Sequence, residues 1–265
     1  MAPRSKAVAP PVTAAVAPPR LFAGTSGWAY PTWKPGFYPA GLSQKHFLTY
    51  FAARLNSVEV NYTFRALPTP HMLAGWLSAT PENFRFSFKA PQRITHFARL
   101  KACAPHLAAF LGALAPVREA GRLGLLLFQL PPNFPADPQL LTAFLAEPAL
   151  RPNDPHTPPV AWEFRHPSWF TPEIRQILAD HNQAVSIAES DVLETPEIHT
   201  AITHAAYRLR KPGGYTPAEL AAFARRITPL TRARDTYVYF KHEDEPTGAL
   251  NAQHFLRLAT LEQQP

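Results

Sequence analysis

Glu163 and Arg165 stand two residues apart in the run Trp162-Glu163-Phe164-Arg165-His166, with Glu59, Lys89, Arg208 and Lys241 in other apolar runs. Carboxylates set beside cations can shift one another's proton affinities, the usual requirement for acid/base chemistry at neutral pH. Arginine holds phosphate or carboxylate through paired donors and lysine adds a point charge. Glu163 is therefore the candidate general base or acid, and Glu59 or His166 its proton-transfer partner. Lys89, Arg165, Arg208 and Lys241 are candidate anion ligands, with Asn61, Gln129, His96 and Trp28 as further substrate contacts. The plain alternatives are an internal Glu163–Arg165 ion pair and a surface Lys89 lying along Phe88.

His96, His166 and His242 follow three of these runs and could relay protons near neutrality. A loop hydrogen-bonding role is the commoner one, since no tight ligand spacing such as H-E-x-x-H occurs. Glu189, Asp191, Glu243 and Asp244 could complete an oxygen-rich divalent metal site with Glu163, although solvated loop carboxylates are the ordinary reading. No organic cofactor is expected: Gly24 and Gly27 match neither phosphate-cradling nor dinucleotide spacing.

These residues need a frame, and eight short segments rich in Val, Ile, Phe, Tyr and Leu supply one. They run from Leu21 to Gly27, Ser57 to Thr63, Phe84 to Ala90, Leu123 to Leu130, Val160 to Arg165, Ala184 to Ala188, Ala205 to Arg210 and Thr236 to Lys241. Helical stretches between them imply parallel pairing, because parallel neighbours need crossovers. Eight units predict an α/β fold, a single-domain (β/α)₈ TIM barrel, irregular around the sixth and seventh units where there is room for barely two helical turns. Thr-Pro at Thr69-Pro70, Thr171-Pro172, Thr195-Pro196 and Thr216-Pro217 predicts helix starts, as does Ser43. Pro105 and Pro116 read as interruptions of the third helical region.

Strand alternation then sorts the side chains. Val58, Val60, Tyr62, Phe84, Phe86, Phe88, Trp162 and Phe164 form the apolar parity and should face the helices. Ser57, Glu59, Asn61, Thr63, Arg85, Ser87, Lys89, Ala161, Glu163 and Arg165 should face the barrel axis, joined by Gln129, Arg208 and Lys241. Four cations against two carboxylates at the strand ends predict a cation-rich pocket on the C-terminal face, where active sites of this fold lie. The aromatic cluster Trp28, Tyr30, Trp33, Phe37 and Tyr38 either walls that pocket or caps the barrel as a satellite core.

The whole chain agrees with one large core. Its 265 residues are 46% hydrophobic and 17% charged, well away from the composition of disorder. The formal net charge of +7 favours anionic partners. Nucleic acid is disfavoured among them, since the tightest basic groups are only Arg208, Arg210, Lys211 and Arg225, Arg226. A single cysteine, Cys103, excludes an internal disulfide and suits a cytoplasmic protein, where it reads as a small buried apolar residue. No apolar run reaches membrane-spanning length, and residues 1–20, mostly Ala, Pro and Val with a few basic residues, read as a disordered tail ahead of a domain over residues 21–262.

The runs GTSGWAYPTWKPGFYP at Gly24–Pro39, VEVNYTF at Val58–Phe64, FSFKAPQRITHFARL at Phe86–Leu100, LLFQLPPNF at Leu126–Phe134 and WEFRHPSW at Trp162–Trp169 resemble the YecE-like family, domain of unknown function 72 (DUF72). The resemblance implies a TIM barrel and carries no settled activity. This chain departs from the commonest family pattern with FKHEDEP at Phe240–Pro246 in place of an Asn-rich segment, and with Ile187-Ala188-Glu189 where many relatives carry an aspartate. The leading expectation is an enzyme, of hydrolase, lyase or isomerase type, acting on a small phosphate- or carboxylate-bearing molecule. A metal-dependent phosphodiesterase or nuclease, and a non-catalytic anion sensor or nucleic-acid-binding module, stand beside it.

Overall fold

The structure, a computed structural model, describes residues 20–151, 157–189, 193–241 and 245–262. Residues 1–19 of the expected tail, and His242, Glu243, Asp244 and Asp191, lie outside the described residues. Eight parallel strands form a nearly closed barrel: β1 Leu21–Thr25, β2 Ser57–Val60, β3 Arg85–Lys89, β4 Leu123–Gln129, β5 Val160–Glu163, β6 Ala184–Ala188, β7 His204–Leu209 and β8 Asp235–Phe240. Around them lie α1 Phe47–Ala52, α2 Pro70–Ser78, α3 Ala104–Ala113, α4 Ala115–Glu119, α5 Pro138–Leu145, α6 Pro172–Asp180, α7 Pro217–Thr231 and α8 Thr247–Glu262. No described helix is long and apolar enough to cross a membrane.

Hydrogen-bonded neighbours run β1-β8-β7-β6-β5-β4-β3-β2, which leaves β1 and β2 adjacent without a ladder. One side chain bridges this seam. Asn56 accepts from the Ala23 amide (2.8 Å) and donates to the Leu21 carbonyl (2.8 Å), imitating a peptide unit at the missing pairing. The strands close on each other there because Gly24 has no Cβ: one built on it would lie 1.8 Å from the Ser57 carbonyl oxygen.

Alternation holds along each strand. Val58, Val60, Phe86, Phe88, Leu126, Phe128, Trp162, Val185, Tyr207 and Val238 join the main core between strands and helices. The opposite parity builds a smaller core along the barrel axis, with Phe22, Leu125, Ala161, Ala184, Ala206, Tyr237 and Tyr239. Phe22 stacks on Tyr237 (centroids 4.9 Å), and Arg85 lies over Phe22 (5.7 Å), at the N-terminal end of β3. Higher up, the Tyr239 hydroxyl sits between Ser57 Oγ (2.7 Å) and Ser87 Oγ (2.6 Å).

Thr69, Thr171 and Thr216 cap their helices by accepting from the amides of Met72, Ile174 and Glu219, and Thr216 with Glu219 completes a capping box. Ser43 makes no side-chain cap bond; it precedes a 3₁₀ turn ahead of α1. Pro105 and Pro116 begin α3 and α4 instead of interrupting one helix, since proline fits the first turn, where its missing N–H costs nothing.

Thr195-Pro196 starts no helix. Between β6 and β7 the described chain is irregular and pinned by specific bonds: Thr195 N–H to the Ala188 carbonyl (3.2 Å), Thr200 Oγ1 to the Gln183 carbonyl (2.5 Å) and Ile202 N–H to Asn182 Oδ1 (2.9 Å). These local bonds take the place of a helical ladder. Tyr62 departs from the expected outward parity, because β2 ends at Val60 and the chain turns at Asn61 (φ −83°, ψ −13°), leaving Tyr62 47% exposed.

Candidate functional site at the C-terminal mouth

The closing residues of β3, β4 and β5 are Lys89, Gln129 and Glu163, so three of the expected polar side chains reach one end of the barrel by strand length alone. Glu59 comes from β2 and Arg208 from β7, both on the inner parity and buried (0% and 5% exposed). Arg208 joins the two carboxylates. Its Nε donates to Glu59 Oε2 (2.9 Å), its Nη2 to Glu59 Oε1 (2.8 Å), and its Nη1 to Glu163 Oε2. Gln129 Nε2 (2.6 Å) and Arg165 Nε (2.9 Å) both donate to Glu163 Oε1, and Ser26 Oγ donates to Glu59 Oε1 (2.8 Å).

The electrostatics follow from this packing. Burial by itself would raise the Glu163 pKa, but Arg208 and Arg165, with hydrogen bonds from Arg208 and Gln129, hold it down at about 2. Glu163 is therefore a fixed anion throughout the neutral range. Arg208 shows the mirror effect: burial opposes its charge, and the two carboxylates overcome it and raise its pKa.

Lys89 differs from both arginines. Its Nζ has no hydrogen bond or ion pair among the described residues and lies 4.1 Å from the ring centroid of Phe64. Burial lowers its pKa to about 8, Arg208 and Lys241 push the same way, and Glu59 and Glu163 only partly offset them. Arg165 spends Nε on Glu163, and its two terminal nitrogens have no partner among the described residues.

His96 stands edge-on to the same Phe64 ring (5.0 Å), with Nδ1 on Thr95 Oγ1 (2.9 Å). Burial, then Lys89, Arg165 and Arg99, keep its pKa below the ordinary imidazole value, so it is neutral near pH 7. His166 caps a 3₁₀ turn over Pro167–Trp169, its Nδ1 accepting from the Ser168 amide (3.3 Å) and bonded to Ser168 Oγ (2.7 Å). Asn61 sits one residue beyond β2 with Oδ1 buried and without a hydrogen-bond partner among the described residues. Lys241 follows β8, its amide held by the Leu209 carbonyl (2.8 Å).

Trp28 stands outside this cluster, edge-on to Trp76 of α2 (5.2 Å). Trp33, Phe37 and Tyr38 are buried against Phe47, Tyr50 and Phe51 and are part of the main core between strands and helices, not a satellite of it. Among the described residues no three His, Cys, Asp or Glu side chains converge as a metal-ligating group. Glu59 and Glu163 share Arg208 between them instead. Cys103 is buried (2% exposed), and burial raises its thiol pKa.

Three contributors escape sequence reasoning: Ser26, which binds Glu59, Phe64, which faces Lys89 and His96, and Tyr239, which links β2, β3 and β8. Ser26 and Phe64 fall inside the runs GTSGW and VEVNYTF, and Tyr239 shares the inward parity of Lys241. That parity was the available signal for Tyr239.

The fold and the charged strand ends define a (β/α)₈ barrel with an ion-linked C-terminal mouth. The chain belongs to the family described as "Protein of unknown function DUF72", whose match covers residues 22–265. It is similar to the UPF0759 protein YecE of Escherichia coli O157:H7, 29% identical over 185 residues, which is 69% of this chain and 62% of that protein. It is also similar to the UPF0759 protein YunF of Bacillus subtilis strain 168, 28% identical over 57% of this chain and 53% of the relative. The match thus spans about three fifths or less of these two relatives' lengths. Among solved structures, a DUF72 family protein from Thermotoga maritima MSB8 superposes with a TM-score of 0.76 at 26% identity, covering 92% of this chain and 99% of that one. A DUF72 family protein from Enterococcus faecalis V583 gives 0.73 at 19% identity, covering 92% and 97%, and so shares the fold.

Proposed function

We propose that the protein is an enzyme that transfers protons on a small phosphate- or carboxylate-bearing substrate at the C-terminal mouth of the barrel. The observation that carries this reading is the division of labour among the charges. Arg208 occupies both carboxylates, while Lys89 Nζ and the terminal nitrogens of Arg165 have no anionic partner among the described residues. An anionic group between those two cations would complete the charge balance, with Arg165 binding it through paired donors.

The same geometry favours a revised set of roles. Glu163 and Glu59, locked by Arg208, suit a fixed frame that aims Arg165 and sets the local potential. Proton transfer then falls to Lys89, with His166 or His96 as its partner. Asn61 Oδ1 offers an acceptor for a substrate hydroxyl or N–H group, Gln129 keeps Glu163 in place, and Lys241 adds positive potential.

A thermal-shift screen of phosphorylated and carboxylated metabolites tests the reading. A ligand present at about 100 times its Kd adds about 2.7 kcal/mol, enough to raise the Tm by roughly 5 °C or more for a domain of this size. Lys89→Ala and Arg165→Ala should each remove most of that shift. No anion-dependent stabilisation, or one that both variants retain, would sink the proposal.

One observation favours a second reading, the binding of single-stranded nucleic acid. Phe97 is 70% exposed and shared by two clefts, one of ≈ 660 Å³ that includes Arg99 and Lys101, the other of ≈ 300 Å³ that includes Arg65, Arg93 and His106. An exposed ring among cations can stack a base beside its phosphates. Affinity for an oligonucleotide that falls steeply with salt and is lost in Phe97→Ala would support it.

A further inference from the structure

We infer that Lys89 is a nucleophile that condenses with the aldehyde or ketone carbon of an anion-bearing substrate, forming an imine. The inference rests on the anion-binding reading of the mouth and names the substrate class: 2-oxo acids and phosphorylated aldehydes or ketones.

A lysine whose task is only to hold an anion gains from being charged and hydrogen-bonded. Lys89 lacks the hydrogen bonds among the described residues, and burial works against its charge. Its Nζ faces the π-cloud of Phe64 at 4.1 Å, with no carboxylate or carbonyl oxygen in hydrogen-bonding range among the described residues. Arg208 repels its charge, and the two carboxylates that could relieve it are already bonded to Arg208. Desolvation beside a second fixed cation is how proteins activate an amine as a nucleophile.

The backbone that carries the amine is also held in place. Lys89 ends β3, its carbonyl accepts from Thr63 Oγ1 (2.7 Å), and the next amide, of Ala90, is bonded to the Leu127 carbonyl (2.8 Å). Arg165 supplies the anion anchor, its terminal nitrogens without a partner among the described residues. Neutral His96, packed on the same Phe64 ring, is placed to move protons. The lowered proton affinity of Lys89 agrees with this geometry, leaving a sizeable neutral fraction near pH 7.5.

The chemistry balances without a redox partner. The neutral amine adds to the carbonyl carbon: an N–C bond forms, the C–O π pair moves to oxygen, and a proton passes from nitrogen to that oxygen, giving a carbinolamine. One further proton, delivered through His96 from solvent, lets the hydroxyl leave as water. The nitrogen lone pair then forms the C=N bond of a protonated imine. Amine, carbonyl and one proton thus give iminium and one water.

Reductive trapping on the full chain tests the inference. The protein is incubated at pH 7.5 with pyruvate, or in parallel with glycolaldehyde phosphate, and sodium cyanoborohydride, and each lysine's modification rate is mapped by peptide mass spectrometry. Lys89 should be labelled at least about tenfold faster than exposed Lys45. Acetone, which lacks the anion, should lose most of that preference, and Lys89→Arg should abolish the fast label while keeping the charge. Labelling of Lys89 no faster than Lys45, with anion-induced thermal stabilisation intact, overturns the imine and spares the anion-binding reading. Absence of both overturns both.

Discussion

Arg208 of β7 and Glu59 of β2 lie 149 residues apart in the chain and meet through two parallel hydrogen bonds of 2.9 and 2.8 Å inside the barrel. The third bonded nitrogen of Arg208 reaches Glu163 of β5, so one guanidinium ties three strands together. Removing it leaves two buried carboxylates facing each other. Arg208→Met should therefore cost about 3–5 kcal/mol in urea unfolding, more than Glu59→Gln, which strands no second anion. Equal losses for the two variants would contradict this arrangement.

The acid limb of stability should be broad. His204 is buried, its Nε2 bonded to the Val160 carbonyl (2.8 Å); burial lowers its pKa to about 4, against an ordinary 6.5. Glu163 titrates near 2 in the fold, against 4.5. In both cases the unfolded chain binds the proton more readily, so each group's stabilising contribution is complete above its unfolded pKa and fades as pH falls. His204 governs the window from 6.5 to 4, and Glu163 the one from 4.5 to 2. His204→Gln should flatten the upper part of a stability–pH curve, and Glu163→Gln the lower.

Lys89 shifts in the same direction, but its window lies above neutrality. Its folded pKa near 8 lies below the ordinary 10.5, so below pH 8 it is charged in both states and that charge destabilises the fold. Lys89→Met should stabilise the protein at pH 7 by on the order of 2 kcal/mol. The gain should shrink as pH rises from 8 to 10.5, where the wild-type lysine becomes neutral as well. A variant less stable than wild type at pH 7 would mean that the charge is satisfied.

The seam between β1 and β2 makes a different prediction. Gly24→Ala would drive a methyl group into the Ser57 carbonyl, which is backbone and cannot swing aside; we expect a loss of at least about 3 kcal/mol. Asn56→Leu keeps the volume but leaves the Ala23 amide and the Leu21 carbonyl unbonded, costing about 2 kcal/mol or more. Hydrogen exchange at Ala23 should accelerate in Asn56→Leu while amides at the β7–β8 ladder stay protected.

Much of the fold is legible in the sequence because every outward position of a parallel barrel must be apolar. The alternation of Phe84, Phe86 and Phe88 with Arg85, Ser87 and Lys89 therefore reveals both strand and facing, and Ala184–Ala188 is predicted at its observed bounds. Alternation says nothing about who meets whom. That Arg208 would engage both Glu59 and Glu163 depends on closure of the barrel over 149 residues, and no local pattern encodes it. Thr195-Pro196 misleads for a related reason: a capping dipeptide specifies how a helix can begin, while hydrogen bonds to Ala188 and Gln183 decide that the segment runs irregularly. Asn56 and Gly24 act only through the neighbouring strand, so their roles surface only once β1 and β2 are side by side.

The stacked pair of Phe22 and Tyr237, with Leu125 and the alanines of the axial core, fills the barrel below the ionic cluster. The consequence is a single entrance. Any ligand of the proposed site must come and go at the strand C-termini, so a bulky group attached at that rim should slow arrival and departure together.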